Sequence, residues 1–164
     1  MPIRPAQPDD LPTIVDIYNA SIPGRLATAD TEPVTVESRR AWFAEFDRER
    51  RPLWVLEEPA GELAGWLSLK SFYGRPAYHA TVEIAVYCAA GCRRRGVGWR
   101  LVQHALASAP ALGIRTILAF VFAHNTPSVN LFGKAGFDTW GMLPRVAELD
   151  GIERDLAIMG RRIA

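Results

Sequence analysis

Two stretches of the 164-residue chain carry residue types that could do chemistry. Arg93-Arg94-Arg95-Gly96-Val97-Gly98 falls between a predicted strand and a predicted helix. A glycine-containing turn there lets backbone N–H groups converge at a helix N-terminus, where the dipole favours an anion, and arginines add charge-assisted hydrogen bonds. The string is not a Walker loop, because the Gly-Lys-Ser/Thr ending is absent, nor the dinucleotide fingerprint, which needs a third glycine. It suits a diphosphate; a solvated basic turn with ordinary helix-entry glycines is the other reading. In the second stretch, Thr81–Tyr87, strand parity puts Val82, Ile84 and Val86 on one face and Thr81, Glu83, Ala85 and Tyr87 on the other. A carboxylate in the middle of a central strand is disfavoured unless it is paired or used. Glu83 therefore reads as a general base at the sheet surface, or as a salt-bridged glutamate facing water.

The elements that must position these residues follow from periodicity. Ile3–Ala6 reads as an edge strand, since proline is tolerated there. Asp9 or Asp10 reads as the cap of a helix carrying Leu11, Ile14, Val15 and Tyr18. Residues 21–34 form a long irregular segment of the kind that is often functional. Thr35 reads as the cap of a second helix with Trp42, Phe43 and Phe46 as its apolar stripe. Leu53–Glu57 and Leu63–Ser71 form a hairpin, and Phe72–Pro76 is a loop leading to a strand at Ala80–Cys88. A third helix begins near Gly96. Thr116–Phe122 is apolar on both parities, so it is a strand covered on both faces. Thr126 reads as the cap of a fourth helix ended by Gly136, and strands at 137–148 and 152–161 meet across Asp150-Gly151. The order β-α-α-β-β-β-α-β-α-β-β gives an α/β (α+β) fold in one domain spanning 1–164, a mixed sheet flanked by helices. With no internal repeat or linker, nothing divides it.

Composition narrows the function classes. The formal net charge is +1, which argues against wholesale nucleic-acid or anionic-membrane binding. No run of about 18 apolar residues exists, so no membrane span is expected. The first ten residues lack a signal-peptide core, and Cys88 and Cys92 suit neither a disulfide framework nor C-x-x-C, so a cytoplasmic protein is expected. His79, His104 and His124 form no metal-ligand motif, and no metal is expected. Cys88 shares parity with Val82, Ile84 and Val86 and reads as a core cysteine.

Taken together, these residues resemble the GNAT superfamily of N-acetyltransferases over essentially the whole chain. Arg93-x-x-Gly96-x-Gly98 matches its pyrophosphate loop, and Asn125-x-x-Ser128 with Leu131-Phe132-x-x-Ala135-Gly136-Phe137 its second cofactor segment. Thr31-Glu32-Pro33, Thr81-Val82-Glu83 and Asn125-x-Pro127-Ser128 are similar to the phosphinothricin and methionine sulfoximine acetyltransferase branch. The resemblance implies a sheet of about seven strands and four helices, splayed between strands four and five around acetyl-CoA. It implies pantetheine along Ala85, Val86 and Tyr87, the diphosphate on Gly96, Val97 and Gly98 with Arg93, Arg94 and Arg95 nearby, and Asn125, Ser128 and Lys134 along the cofactor. Glu83 takes the position of the family's base for a small amine, with direct transfer and a backbone N–H around Ile84–Val86 as oxyanion donor. A homodimer through the C-terminal strands is implied too.

Two departures stand out. The position where relatives carry a proton donor for the leaving thiolate, a tyrosine or histidine, is Phe132 here. A non-catalytic acyl-CoA-binding module is the alternative that this leaves, while Tyr73, Tyr78, His79 and His124 are substitute donors. On the acceptor side, Arg75 and Tyr78 are expected to meet the substrate, Arg75 clamping a carboxylate. Thr31 lies in the matching loop, where Asp30 stands in place of the relatives' basic or aromatic residues and would favour a cation.

Overall fold

A computed structural model describes residues 1–164. The strands are β1 (Ile3–Pro5), β2 (Leu53–Glu57), β3 (Leu63–Ser71), β4 (Thr81–Cys88), β5 (Thr116–Phe122), β6 (Asp138–Leu149) and β7 (Ile152–Arg162). The helices are α1 (Leu11–Ser21), α2 (Arg40–Ala44), α3 (Val97–Ser108) and α4 (Thr126–Lys134). All seven strands form one sheet in the order β1-β2-β3-β4-β5-β7-β6. Every neighbouring pair is antiparallel except β4 and β5. The expected mixed sheet with four helices is the observed fold.

Apolar parity explains the layers. Val82 and Ile84 of β4 and Ile117, Ala119 and Val121 of β5 bury against Leu101, Val102 and Ala105 of α3 and against Phe132 of α4. On the other face Val55 and Trp66 pack with Ile14 and Ile17 of α1, and Trp66 Nε1 donates to the Ile14 carbonyl at 3.1 Å. Strand β3 is buried on both faces from Leu63 to Leu69. It carries both cores.

The ends of the elements depart from expectation in instructive ways. Asp10 stands at the start of α1 but makes no cap to it. Its carboxylate instead accepts from the Gln7 N–H and from the Arg4 guanidinium, which stitches the first turn to β1. The stripe expected for the second helix is divided: a short turn at Glu37–Arg39 precedes a five-residue α2. Thr35 and Ser38 cap that turn reciprocally, each hydroxyl accepting the other's N–H. The cap of α4 is Asn125, not Thr126; its side-chain oxygen accepts the Ser128 N–H at 3.3 Å. With Thr126 and Pro127 as the first two helical residues, Ser128 is the nearest orphan donor that a cap oxygen can reach.

One irregularity builds the site. Strand β4 pairs with β5 only at Thr81–Thr116, Val82–Ile117 and Glu83–Leu118, after which β5 continues alongside β7 alone. The strands therefore part just beyond Glu83. The Ala89 N–H donates to β3 through the Ala64 carbonyl. Counting back by the two-residue period, the Val86 N–H points away from β3 and into the opening.

Candidate active site

Glu83 sits at the last paired position of β4 with β5, on the face turned toward α1 and α2. Its cross-strand neighbour in β3 is Lys70, and the register continues as Ser68 with Ala85 and Trp66 with Tyr87. These six side chains make a ladder that floors a cavity of about 180 Å³, walled by Tyr18, Arg39 and Trp42. A second depression of about 420 Å³, lined by Arg51, Ser71, Tyr73 and Glu45, shares Glu83 and Lys70 with the first. Burial pushes the Glu83 carboxyl above the ordinary carboxylate range, and the Lys70 charge offsets part of that rise. A half-buried carboxyl at a cavity junction, its pKa raised by burial, is a stronger proton acceptor than an exposed one.

The wall is aromatic. Tyr87 stacks on Trp66 with ring centres 4.7 Å apart, and Tyr18 meets Tyr87 edge-on at 5.1 Å. The long segment 21–34 is pinned over this wall. The Tyr87 hydroxyl donates to the Ala27 carbonyl at 3.2 Å, Tyr18 bonds Thr28 Oγ1 at 2.6 Å, and Asn19 holds Val34 by both its amide atoms. Arg25 reaches Asp150 in the β6–β7 turn, and the Asn125 amide nitrogen donates to the Leu26 carbonyl at 3.1 Å. Burial is the main reason that the Tyr87 phenol is pushed well above its usual range.

The Arg93–Gly98 turn leads into α3 where the sequence placed the start of a helix. Gly96 stands in the left-handed region at φ +78° as the residue preceding α3, a conformation that costs an ordinary side chain about 1–2 kcal/mol. The first helical bond runs from the Arg100 N–H to the Gly96 carbonyl. The N–H groups of Val97, Gly98 and Trp99 therefore have no partner within the helix; that of Gly98 also faces the Cys88 sulfur, and those of Val97 and Trp99 can meet an anion. Arg93 and Arg94 are exposed beside them, whereas Arg95 is tied to Glu58 at 3.2 Å. Gly98 lies close under Leu131 and Cys88, so a side chain there would press on α4. Lys134 sits with its ammonium 4.5 Å above the Trp99 ring, and Ser128 lies in the first turn of α4. Asn125 is buried with both side-chain atoms engaged inside the protein, as helix cap and as anchor of Leu26.

On the acceptor side the structure rearranges what the sequence suggested. Asp30 is not a free anion: it accepts from the Tyr18 hydroxyl and pairs with Arg39 at 3.1 Å. Thr31 offers its carbonyl to Arg25 and is exposed. Arg75 is exposed and lines neither cavity, and Tyr78 packs with Phe72 and Tyr73 at the outer loop. Of the four, none lines the cavity beside Glu83. Phe132 is 3% exposed and packed edge-on against Phe137 in the core. Of the substitute donors only Tyr73 borders the Glu83 cavities, while the Nε2 of His124 lies 3.0 Å from the Arg25 carbonyl.

Sequence reasoning missed Tyr18, Arg39, Trp42, Ser68 and Lys70 as lining residues. The signal for two of them was present in strand parity: Ser68 and Lys70 share a face with Trp66, while Leu67 and Leu69 take the opposite one. Ser68 is buried, whereas Lys70 stands exposed just past the buried stretch of β3, so this polar face runs from the core out to the cavity mouth. Arg39 and Trp42 come from a separate helical segment, and nothing local announces their direction.

The acetyltransferase (GNAT) family model matches residues 12–137. The chain belongs to this family and is an N-acetyltransferase, with acetyl-CoA as cosubstrate. It is 50% identical to YwnH of Bacillus subtilis over the full length of both chains. It is 32% identical to the L-methionine sulfoximine/L-methionine sulfone acetyltransferase of Pseudomonas aeruginosa strain PAO1, covering 96% of this chain and 91% of that protein. The crystal structure of a phosphinothricin acetyltransferase from Sinorhizobium meliloti in complex with acetyl-CoA superposes with a TM-score of 0.93 at 26% identity, covering 99% of this chain and 88% of the other. The separated β4 and β5, the glycine turn that opens α3 and the exposed Arg93 and Arg94 fit such a cosubstrate. No group of acidic, cysteine or histidine side chains is placed to hold a metal ion, and no helix is long and apolar enough to cross a membrane.

Proposed function

We propose that the chain moves the acetyl group of acetyl-CoA directly to the primary amine of an amino acid or analogue, of the methionine sulfoximine or phosphinothricin type, with Glu83 as general base. The observation that carries this is the place of Glu83: a half-buried carboxyl where β4 and β5 part, facing the acceptor cavity. The amine loses its proton to Glu83, directly or through one water, as its lone pair attacks the thioester carbonyl. The Val86 N–H, turned into the opening, supports the oxyanion. Ala85, Val86 and Tyr87 line the pantetheine path, Gly96, Val97 and Gly98 with Arg93 and Arg94 hold the diphosphate, and Ser128 and Lys134 flank it. Because Phe132 lies in the core, the carbon–sulfur bond breaks to release a thiolate that water protonates; a free thiol pKa of about 8.5 makes that departure inexpensive. Turnover of Glu83→Gln tests the reading. A loss on the order of 10²–10⁴ in kcat/KM is expected, and full activity from pH 6 to 9 would sink it.

The same reading includes a cytoplasmic homodimer. Trp140, Met142, Leu143 and Val146 are exposed on the edge strand β6, with Ile152 at the start of β7. An apolar edge of this kind is suited to a second copy.

A further inference from the structure

Lys70 is the uncommitted cation of the acceptor site. Four basic residues lie on or near the two cavities, and three are occupied or turned away. Arg39 is paired with Asp30, and its guanidinium lies 5.0 Å from the Tyr18 ring centre. Arg51 donates from all three nitrogens, to Ser71 Oγ, the Arg50 carbonyl and the His79 carbonyl. Arg75 lines neither cavity. Lys70 lines both, stands directly across the β3–β4 ladder from Glu83, and its ammonium has neither a hydrogen bond nor an ion pair.

The cavities meet at this pair, and their characters differ. The smaller, aromatic one has room for about six water-sized groups at ~30 Å³ each, the scale of one amino-acid side chain. The larger is polar. If the attacking nitrogen rests against Glu83, the carbon bearing it stands at the junction, and its two substituents diverge into unlike surroundings. Glu83 and Lys70, side by side on one face, present charges opposite in sign to the ammonium and carboxylate of a zwitterion. Resting on the function proposed above, we infer that Lys70 is the specificity-determining residue for the acceptor. Its Nζ pairs with the carboxylate carried by the same carbon as the reacting amine, while the acceptor's side chain enters the aromatic cavity. Acceptors with further cationic groups, such as polyamines, are disfavoured by the same ammonium.

The test uses the full chain and two matched acceptors, L-methionine sulfone and the amine it becomes on losing its carboxylate. CoA release is followed for wild type, Lys70→Met and Lys70→Arg, at a pH where Glu83 is ionised. Wild type prefers the amino acid. Lys70→Met raises KM for it by about 10- to 100-fold, the worth of one charge-assisted hydrogen bond, with kcat changed much less. The decarboxylated amine is used by Lys70→Met at least as well as by wild type, and Lys70→Arg recovers most of the preference. Equal losses for both acceptors, or no loss for the amino acid, overturn the assignment. Binding of L-methionine sulfone to the CoA-loaded protein is measured alongside by calorimetry. Lys70-dependent binding without turnover in wild type would remove the catalytic reading and leave Lys70 standing. Turnover that is indifferent to the carboxylate would do the reverse.

Discussion

Asn125 offers the sharpest test of how the site is held together, because its two amide atoms do separable jobs. The oxygen caps α4 through the Ser128 N–H, and the nitrogen holds the Leu26 carbonyl of the segment pinned over the aromatic wall. Replacing Asn125 with serine keeps a good cap but cannot reach Leu26; replacing it with alanine loses both. A lost cap costs about 1 kcal/mol. A lost neutral hydrogen bond costs about 1 kcal/mol more, since the residue is only 6% exposed. Asn125→Ser is expected to lose about 1 kcal/mol and Asn125→Ala about 2, or roughly 2–4 °C and 4–8 °C in Tm for a chain of this size. Urea denaturation and thermal melts check both. Function separates the jobs further. Freeing Leu26 loosens Ala27, Thr28 and Asp30, which hold Tyr87, Tyr18 and Arg39. The acceptor KM should therefore rise several-fold in both variants, while the acetyl-CoA KM moves little. The reasoning is refuted if Asn125→Ser keeps wild-type stability and acceptor KM but weakens acetyl-CoA. That result would mean the amide serves the cofactor arm.

Three other outcomes are expected. Gly96→Ala, at φ +78° with open space around its new Cβ, should cost about 1–2 kcal/mol from backbone strain alone, and should raise the acetyl-CoA KM without changing that of the acceptor. Glu83→Gln should stabilise the protein at neutral pH and not at low pH. Burial raises the folded-state pKa of Glu83, so wild type loses stability as pH climbs from the unfolded value through the raised one, and glutamine escapes that loss. Lys70 lessens the effect, with Arg39, Arg51 and Glu45 the other charged groups lining the two cavities; parallel urea midpoints from pH 4 to 8 would show it. Val146→Glu, at a position 56% exposed on β6, should convert the dimer to monomer in sedimentation or light scattering; a monomeric wild type would dispose of the dimer.

Much of the fold was legible because local rules governed it. Alternation placed Val82, Ile84 and Glu83 on their faces, the double-parity run at Thr116–Phe122 announced a strand covered on both sides, and Asp150-Gly151 marked the last hairpin. The sites of capping were harder, since Asn125 and Thr126 are both good caps and only the position of Pro127 and the reach to Leu26 select between them. The cavity beside Glu83 was the least legible part. Asp30 reads as a free charge in sequence, and its neutralisation by Arg39 depends on where α2 docks.

By itself, then, the sequence determined the face on which Glu83 stands, the start of α3 near Gly96 and the order of the elements. Each depends on residues within a turn or a strand of one another. Only the tertiary structure decided that Lys70 stands opposite Glu83, that Tyr87 stacks on Trp66 and that Phe132 turns into the core. Parity leaves a strand free to slip by two residues without moving any side chain to the other face. Which lysine meets which glutamate is therefore settled by packing across the whole sheet.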